Sequence, residues 1–385
     1  MSRGLVNPGA LGPGVSSAQE KRRVLVAMSG GVDSSVAALL LQRQGAEALG
    51  VTLKLLGNED LPAPASIGSE KACCSLESVE QARAVAIGLG MPFYVFNFSG
   101  DFRREVIARF AEAYCRGETP NPCVDCNRYV KLGKLFRRGE ELDCTHIATG
   151  HYAQVEQEKA SGRWLLKKGL DEAKDQSYFL YTLTQSQLAR LLLPLGGLTK
   201  AQVRELAQEA GFANAHRRES QDICFVPDGD YAEFIGRYTG KAPVPGEFVG
   251  TAGQIYGCHK GIIHYTVGQR KGLGLSFPQP MYVCGIRPQE NQVVLGRDEE
   301  LFSSALTARD LNLIAVESIP APMRVTAKIR YRHKEQPATA LQTGPDELLV
   351  TFDQPQRAIT RGQAVVLYDG DTVIGGGTIS GHEQK

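Results

Sequence analysis

Long apolar runs are missing from this sequence. No stretch approaches the roughly 18 consecutive apolar residues that a membrane-spanning helix needs, so the sequence predicts no membrane span. The first 20 residues contain one Arg and lack the apolar block of a secretory signal. Because they are rich in Gly, Pro and Ser, we expect residues 1–20 to form a disordered tail on a cytoplasmic protein.

An excess of charge of one sign is missing as well. The chain carries 43 Lys and Arg against 42 Asp and Glu, a net charge of +1. Whole-domain basicity is the usual mark of a nucleic-acid partner, but a balanced total can hide a basic face, so composition neither indicates nor excludes one. The nine Cys are an odd number in a long chain, which argues against a disulfide scaffold.

Short apolar segments alternate with helical patterns in the first half of the chain. We predict strands at residues 24–27, 48–55, 93–98 and 146–149, with helices between them, which implies a parallel sheet covered on both faces. Further along, the chain becomes rich in Gly and then alternates apolar and polar residues, with a hairpin signal at Asp369-Gly370. The predicted fold is an α/β domain (21–216), a small β-rich central domain (217–302) and a C-terminal β-barrel (303–385).

The segment Ser29-Gly30-Gly31-Val32-Asp33-Ser34-Ser35 lies between the first predicted strand and the first predicted helix. Glycines allow a ligand to approach the backbone, and the N–H groups and dipole of a helix N-terminus suit a phosphate. The segment lacks the Lys of a Walker loop and the glycine spacing of a dinucleotide fingerprint. It resembles the PP-loop of ATP pyrophosphatases, which cleave ATP to AMP and pyrophosphate. The alternative is a Gly-rich turn that only connects a strand to a helix.

Two segments supply candidate nucleophiles. Residues 119–127 contain Cys123 and Cys126, and Cys224 lies near the first predicted domain boundary. Thiolates are favoured at helix N-termini, and Cys126 is predicted to open a helix. A Cys-x-x-Cys pair also occurs in zinc half-sites and redox pairs, but zinc would require a second matched pair, which the sequence lacks.

With these segments in view, the chain resembles the MnmA/TrmU family of tRNA-specific 2-thiouridylases, which belong to the PP-loop ATP pyrophosphatase superfamily with its adenine nucleotide alpha-hydrolase-like fold. The resemblance runs from about residue 24 to residue 379. The motifs that carry it stand in order at residues 27–34, 119–122, 126–127, 148–152, 174–178, 224–225, 268–272 and 330–332.

The resemblance implies roles for individual residues. ATP would be bound by Ala27, Met28, Ser29, Gly30, Gly31, Val32, Asp33, Ser34, Leu53 and Gly150. The target base would contact Asn121, Pro122 and Cys123. The tRNA would contact His151, Lys174, Asp175, Gln176, Arg330, Tyr331 and Gln363. Independently, Arg330 and Arg332 alternate with Tyr331, which predicts that the two arginines share one face of a strand.

The implied reaction is ATP- and Mg²⁺-dependent 2-thiolation of the wobble uridine. ATP would adenylate the C2 oxygen, and a persulfide on Cys224 would supply the sulfur. The nucleophile Cys126 would then form a transient disulfide with Cys224. The implied partners are the anticodon loops of the Lys, Glu and Gln tRNAs and a persulfide donor protein.

The chain departs from the family pattern at one position. Many members carry Asp where this sequence has Cys123, and Asp125 is not the matching position. The replacement leaves a second mechanism open, because Cys123, Cys126 and Cys224 could hold a [4Fe–4S] cluster with one iron open for sulfide. More distant alternatives are a PP-loop ligase that uses ammonia and a non-catalytic nucleotide sensor.

Overall fold

The computed structural model describes residues 22–57, 76–216 and 223–382. The predicted tail, residues 1–20, lies outside the described residues. Within the described ranges, no helix is both long enough and apolar enough to cross a membrane.

The strands follow one another from the start of the described chain to its end. They are β1 Arg23–Ala27, β2 Glu47–Lys54, β3 Phe93–Asn97, β4 His146–Ala148, β5 Ala153–Gln157, β6 Trp164–Lys168, β7 Leu191–Leu192, β8 Gly246–Gly250, β9 Ile255–His259, β10 Tyr282–Arg287, β11 Gln292–Gly296, β12 Phe302–Leu313, β13 Met323–Lys328, β14 Gln336–Gly344, β15 Glu347–Arg357, β16 Ala364–Asp369 and β17 Thr372–His382.

The helices are concentrated before β8. They are α1 Val32–Arg43, α2 Leu76–Gly88, α3 Ser99–Phe102, α4 Ala108–Cys115, α5 Pro122–Asp125, α6 Gly133–Glu141, α7 Gln185–Leu188, α8 Lys200–Glu209 and α9 Tyr231–Thr239. A π-helical segment, Arg103–Ile107, joins α3 to α4, and another, Cys126–Lys131, follows α5. Short 3₁₀ turns occur at Ser177–Leu180, Ile262–His264 and Asp298–Leu301.

The first sheet is parallel, as the alternating pattern predicts. Its strand order is β3-β2-β1-β4-β7. Successive residues of β1 face opposite sides of the sheet, so Leu25 packs in one hydrophobic cluster and Val24 and Val26 pack in another. The sheet is therefore buried on both faces at β1 and β2, which explains why these strands are almost continuously apolar, whereas the edge strand β3 is partly exposed.

Two later sheets complete the molecule. The central one has four strands in the order β10-β11-β8-β9, and only its β11–β8 pair is parallel. The last one closes on itself, because β12 pairs with both β15 and β17 in the order β12-β15-β14-β13-β16-β17. The predicted C-terminal barrel is therefore confirmed, and so is the hairpin: Asp369 ends β16, and Gly370, with φ 58°, and Asp371 form the turn to β17.

The barrel also recruits a hairpin from the first half of the chain. Strands β5 and β6 pair with each other, and β6 adds to β17 of the barrel through Thr372 and Lys167. The Lys168 N–H donates to the Asp371 carbonyl over 2.8 Å. This connection was not predicted, since nothing in a local pattern shows which sheet a hairpin will join.

Candidate active site

The Gly-rich loop lies where the strand order of the first sheet changes direction. From β1 the chain moves to β2 and β3 on one side, whereas β4 lies on the other side. Crevices at the carboxyl ends of parallel strands at such a point are the usual ligand sites of open α/β sheets. Ala27 is the last residue of β1 and Met28 follows it. Leu53 lies near the carboxyl end of β2, and Gly150 follows β4. The predicted ATP-binding residues thus share one edge of the sheet.

Two glycines in this crevice have no room for a side chain. Gly30 has φ +76°, and a Cβ there would lie 2.2 Å from the carbonyl oxygen of Ser78. A Cβ on Gly150 would lie 2.8 Å from the Ser34 nitrogen, in the first turn of α1. Glycine is therefore required at both positions, because backbone approaches backbone closely at the mouth of the crevice.

Hydrogen bonds hold the loop in shape. The Ser34 hydroxyl accepts from the Ser29 N–H over 3.1 Å and donates to the Gly31 carbonyl over 3.0 Å. The Asn214 amide donates to the Gly30 carbonyl over 2.9 Å, and the Thr52 hydroxyl donates to the Met28 carbonyl over 2.7 Å. No side chain among the described residues caps the N-terminus of α1. Its first N–H groups are therefore available to an anion.

Asp33 is fixed by two residues that sequence reasoning missed. The Lys200 ammonium lies 2.7 and 2.8 Å from the two Asp33 carboxylate oxygens, and the Tyr152 hydroxyl donates to the same carboxylate over 2.6 Å. Lys200 is buried at the first position of α8, after a capping box formed by Thr199 and Gln202. A cation at a helix N-terminus opposes the helix dipole, and this was the one sequence signal that could have marked Lys200.

The cysteine segment is helical earlier than predicted. We expected Cys126 to open a helix, but α5 begins at Pro122, and the Asn121 side chain caps it by accepting from the Cys123 N–H over 3.2 Å. Proline at the first helical position and Asn at the cap are both favourable, so the helix starts one turn before Cys126. Cys123 is exposed in the first turn, and Cys126 is buried in the π-helical segment.

Cys224 reaches the same part of the core from far along the chain. Its neighbour Phe225 is 2% exposed and packs edge-on against Phe102 and Phe110, with ring centroids 5.7 and 5.2 Å apart. Cys126 belongs to this hydrophobic cluster and the partly exposed Cys224 packs against it. The fold thus brings both predicted sulfur-carrying residues to one cluster.

None of the described cysteines is joined in a disulfide, so the described residues contain no Cys126–Cys224 bond, which the sequence predicts only as a transient species. Within residues 22–57, 76–216 and 223–382, no three His, Cys, Asp or Glu side chains are grouped to hold a metal. Cys123, Cys126 and Cys224 therefore do not form the ligand set of a [4Fe–4S] cluster in this conformation.

His151 directly follows Gly150, which packs against the first turn of α1, and it feels the charge of Lys131. Burial and, to a smaller extent, the positive charge of Lys131 in the π-helical segment of Cys126 together lower the pKa of its imidazole to about 3. Its Nδ1 lies 2.8 Å from the Thr149 hydroxyl. The ring is therefore neutral at pH 7 and can offer a hydrogen bond without a charge.

The predicted tRNA contacts at residues 174–176 differ in exposure. Asp175 is buried, and its carboxylate accepts from the N–H groups of Gly169 and Ser177 and from the Ser177 hydroxyl. Gln176 exchanges two hydrogen bonds with the backbone of Tyr152. These two side chains support the turn beside Asp33, whereas Lys174 is partly exposed.

The remaining predicted contacts lie on the barrel. Arg330 and Arg332 do not share a strand face, because β13 ends at Lys328 and the chain turns, with the His333 N–H donating to the Arg330 carbonyl over 3.0 Å. The Tyr331 ring packs on Phe179, with centroids 4.3 Å apart. The Gln363 side chain donates to the carbonyl of Thr119, four residues before Cys123, over 2.7 Å.

Three family models match the chain in succession. One described as tRNA methyl transferase HUP domain matches residues 22–228, which is more than half of the chain. One described as tRNA methyl transferase PRC-barrel domain matches residues 232–297, and one described as Aminomethyltransferase beta-barrel domain matches residues 303–379.

Curated relatives align with almost the whole chain. The tRNA-specific 2-thiouridylase MnmA of Clostridioides difficile (strain 630) is 49% identical, covering 93% of this chain and 98% of the relative. The protein of the same name from Symbiobacterium thermophilum is 50% identical over 93% of this chain and 92% of the relative. That of Carboxydothermus hydrogenoformans is 50% identical over 93% and 98%. The chain therefore belongs to the MnmA family of tRNA-specific 2-thiouridylases.

Proposed function

We propose that this protein is a tRNA-uridine 2-sulfurtransferase that uses ATP to replace the C2 oxygen of the wobble uridine by sulfur. The observation that carries the proposal is that Cys126 belongs to, and Cys224 packs against, the same hydrophobic cluster, which also contains Leu25 of the sheet whose edge bears the Gly-rich loop. Neither a PP-loop ligase that uses ammonia nor a nucleotide sensor would require these two thiols.

ATP binding is assigned to the crevice between β1 and β4. The N–H groups that open α1 would hold the phosphates, with Gly30 and Gly150 allowing the backbone around them to pack closely. Leu53 and Gly150 would flank the adenosine at the ends of β2 and β4. Mg²⁺ would enter with the nucleotide on its phosphate oxygens, as is usual for this ion.

The chemistry divides between the nucleotide and the two thiols. ATP transfers its adenylyl group to the uridine C2 oxygen and releases pyrophosphate. The terminal sulfur of a Cys224 persulfide attacks C2, and AMP leaves with the former carbonyl oxygen. The Cys126 thiolate then attacks the inner Cys224 sulfur, which forms a Cys126–Cys224 disulfide and leaves the terminal sulfur on C2. A thiol reductant returns the disulfide to two thiols.

The substrate is the anticodon loop of the Lys, Glu and Gln tRNAs, and a persulfide-carrying protein supplies the sulfur, in the cytoplasm. The target uridine must leave its stack to reach C2, which favours a loop over a duplex. Asn121, Pro122 and the exposed Cys123 would contact the base, and Lys174 offers a charge to the RNA backbone. The neutral His151 would also contact the RNA.

A [4Fe–4S] cluster on Cys123, Cys126 and Cys224 is the alternative sulfur carrier. Because those three side chains are not grouped as ligands in this structure, no step is derived through a cluster. The relay through two thiols needs only the meeting of the Cys126 and Cys224 segments.

The test is thiolation by iron-free protein. Protein, ATP, Mg²⁺, a persulfide donor and an unmodified tRNA transcript are mixed, and 2-thiouridine is measured by mass spectrometry of the digested RNA. We expect catalytic formation by wild type and by Cys258→Ser, an exposed cysteine of the central sheet that serves as the control. Cys126→Ser and Cys224→Ser should each lower the rate by at least about 10³-fold.

Activity that appears only after anaerobic cluster reconstitution would replace the persulfide relay with the cluster mechanism. Absence of 2-thiouridine under both conditions would refute the thiolation proposal.

A further inference from the structure

The cysteine segment, defined here as residues 119–128, is attached to the barrel at its first residue. The Thr119 N–H donates to the Arg361 carbonyl over 2.9 Å, and the Gln363 side chain donates to the Thr119 carbonyl over 2.7 Å. Gly362, between them, has φ +87°, and a Cβ there would lie 3.1 Å from the Thr119 nitrogen. Residues 361–363, directly before β16, therefore fit closely against the start of the cysteine segment.

The segment is attached to the barrel at its last residue too. The Arg128 guanidinium donates two hydrogen bonds to the Asp310 carboxylate of β12, one of them 3.0 Å long. A bidentate pair fixes orientation as well as distance. Arg128 is two residues after Cys126, in the same π-helical segment, so this contact bears directly on where Cys126 lies.

The backbone at Asp310 is unusual. Its φ is 55°, and it lies where the β12–β17 register shifts, between Arg309 and Asn312. A non-glycine residue in this conformation is strained and persists only where neighbours hold it. They do so here, because the Leu311 N–H donates to Asp346 and the Asn312 amide donates to the Tyr181 and Leu183 carbonyls. The barrel thus holds a strained residue whose carboxylate meets Arg128.

We propose that the barrel clamps the cysteine segment at both ends, and that Asp310 and Gln363 are positioning residues that set the place of Cys126 for sulfur transfer. The inference deepens the proposed function and rests on it. Adenylation uses the loop, α1 and Lys200, which are held by contacts around the first sheet. Sulfur transfer depends on Cys126, and a displacement of about 1 Å can cost about 10²-fold in rate. Loosening the clamp should therefore separate the two steps.

The first experiment compares 2-thiouridine formation with pyrophosphate release, which accompanies adenylation, in single-turnover reactions of the full chain at saturating tRNA. Asp310→Asn removes the charge but keeps a side chain that tolerates positive φ, and Gln363→Ala removes the other contact. The matched control is Asp353→Asn, which breaks the bidentate Arg324–Asp353 pair elsewhere on the barrel. We expect the first two variants to form 2-thiouridine about tenfold or more slowly, with pyrophosphate release changed less than about twofold. The control should resemble wild type.

The second experiment measures amide hydrogen exchange of residues 119–131. Exchange should be faster in Asp310→Asn and in Gln363→Ala and unchanged in Asp353→Asn. Unchanged exchange in both clamp variants would overturn the inference, as would equal slowing of pyrophosphate release and 2-thiouridine formation. If even wild type made no 2-thiouridine, the proposed function would fall, while the exchange rates would still decide whether the clamp exists.

Discussion

At the scale of single residues, the crevice depends on the lack of a Cβ atom at two glycines. Gly30 and Gly150 allow α2 and α1 to come within contact distance of the loop and of the turn after β4. Both glycines belong to motifs that the sequence already marked, yet the sequence could not say which neighbour each one admits. Ser78 and Ser34 were revealed as those neighbours only by the fold.

Gly30→Ala should lose nucleotide binding, and Gly45→Ala should not. The two glycines have nearly the same φ, +76° and +79°, but a Cβ at Gly45 meets nothing within 4 Å. Strain alone should cost Gly45→Ala about 1–2 kcal/mol in the free energy of unfolding, whereas Gly30→Ala must also displace the Ser78 backbone and should cost about 2–4 kcal/mol. Urea unfolding and calorimetric ATP titration measure both effects. Equal losses in the two variants would show that the contact with Ser78 is unimportant.

At the scale of elements, α8 holds α1 in place through one partly buried ion pair. Lys200 at the start of α8 meets Asp33 in the first turn of α1, and Tyr152 after β4 joins them. Three elements distant in sequence therefore converge on one carboxylate. Removing one member of a buried pair leaves the other charge without compensation, which costs more than the pair itself contributes.

Lys200→Met should lower the free energy of unfolding by about 2–3 kcal/mol. The control is Lys167→Met, which removes an amine paired with Glu156 and Asp371 near the surface and should cost less than about 1 kcal/mol. Adding Asp33→Asn to Lys200→Met should recover stability but not ATP binding. Chemical denaturation gives the three values, and a double variant less stable than Lys200→Met would contradict the ion-pair explanation.

At the scale of the whole molecule, the first sheet region and the barrel share a core. One hydrophobic cluster contains Leu25 of β1 and Tyr178 together with Val366, Tyr368 and Val373 of the barrel. The β5–β6 hairpin extends the barrel sheet from within the first half of the chain. These two connections should couple the stability of the two regions.

We expect the first sheet region and the barrel to unfold in one transition. Trp164, the one Trp of the sequence, lies in β6 at their junction, so its fluorescence reports on the junction. The urea midpoint of Trp164 fluorescence should coincide with the midpoint from far-ultraviolet circular dichroism. If the helical circular dichroism signal and the Trp164 fluorescence changed at different urea concentrations, the shared cluster would not couple the two regions.

Much of the local structure follows from the sequence. The apolar segments of β1 to β4, the Thr199–Gln202 capping box and the Asp369-Gly370 hairpin were all predicted and are all present. These features depend on residues close together in the chain, where periodicity, caps and turn propensities act directly. The motifs of the loop and of the cysteine segments likewise identified the family.

The tertiary structure decided what depends on distant partners. The helix begins at Pro122, where Asn121 caps it, and not at Cys126 as predicted. Strand β13 ends before Arg330. The fold paired Lys200 with Asp33 and Asp310 with Arg128. The sequence by itself determined which residues can carry phosphate and sulfur chemistry, because that depends on their own functional groups. Which of them meet was settled only by packing, because charge pairs and core contacts form between segments whose separation no local pattern records.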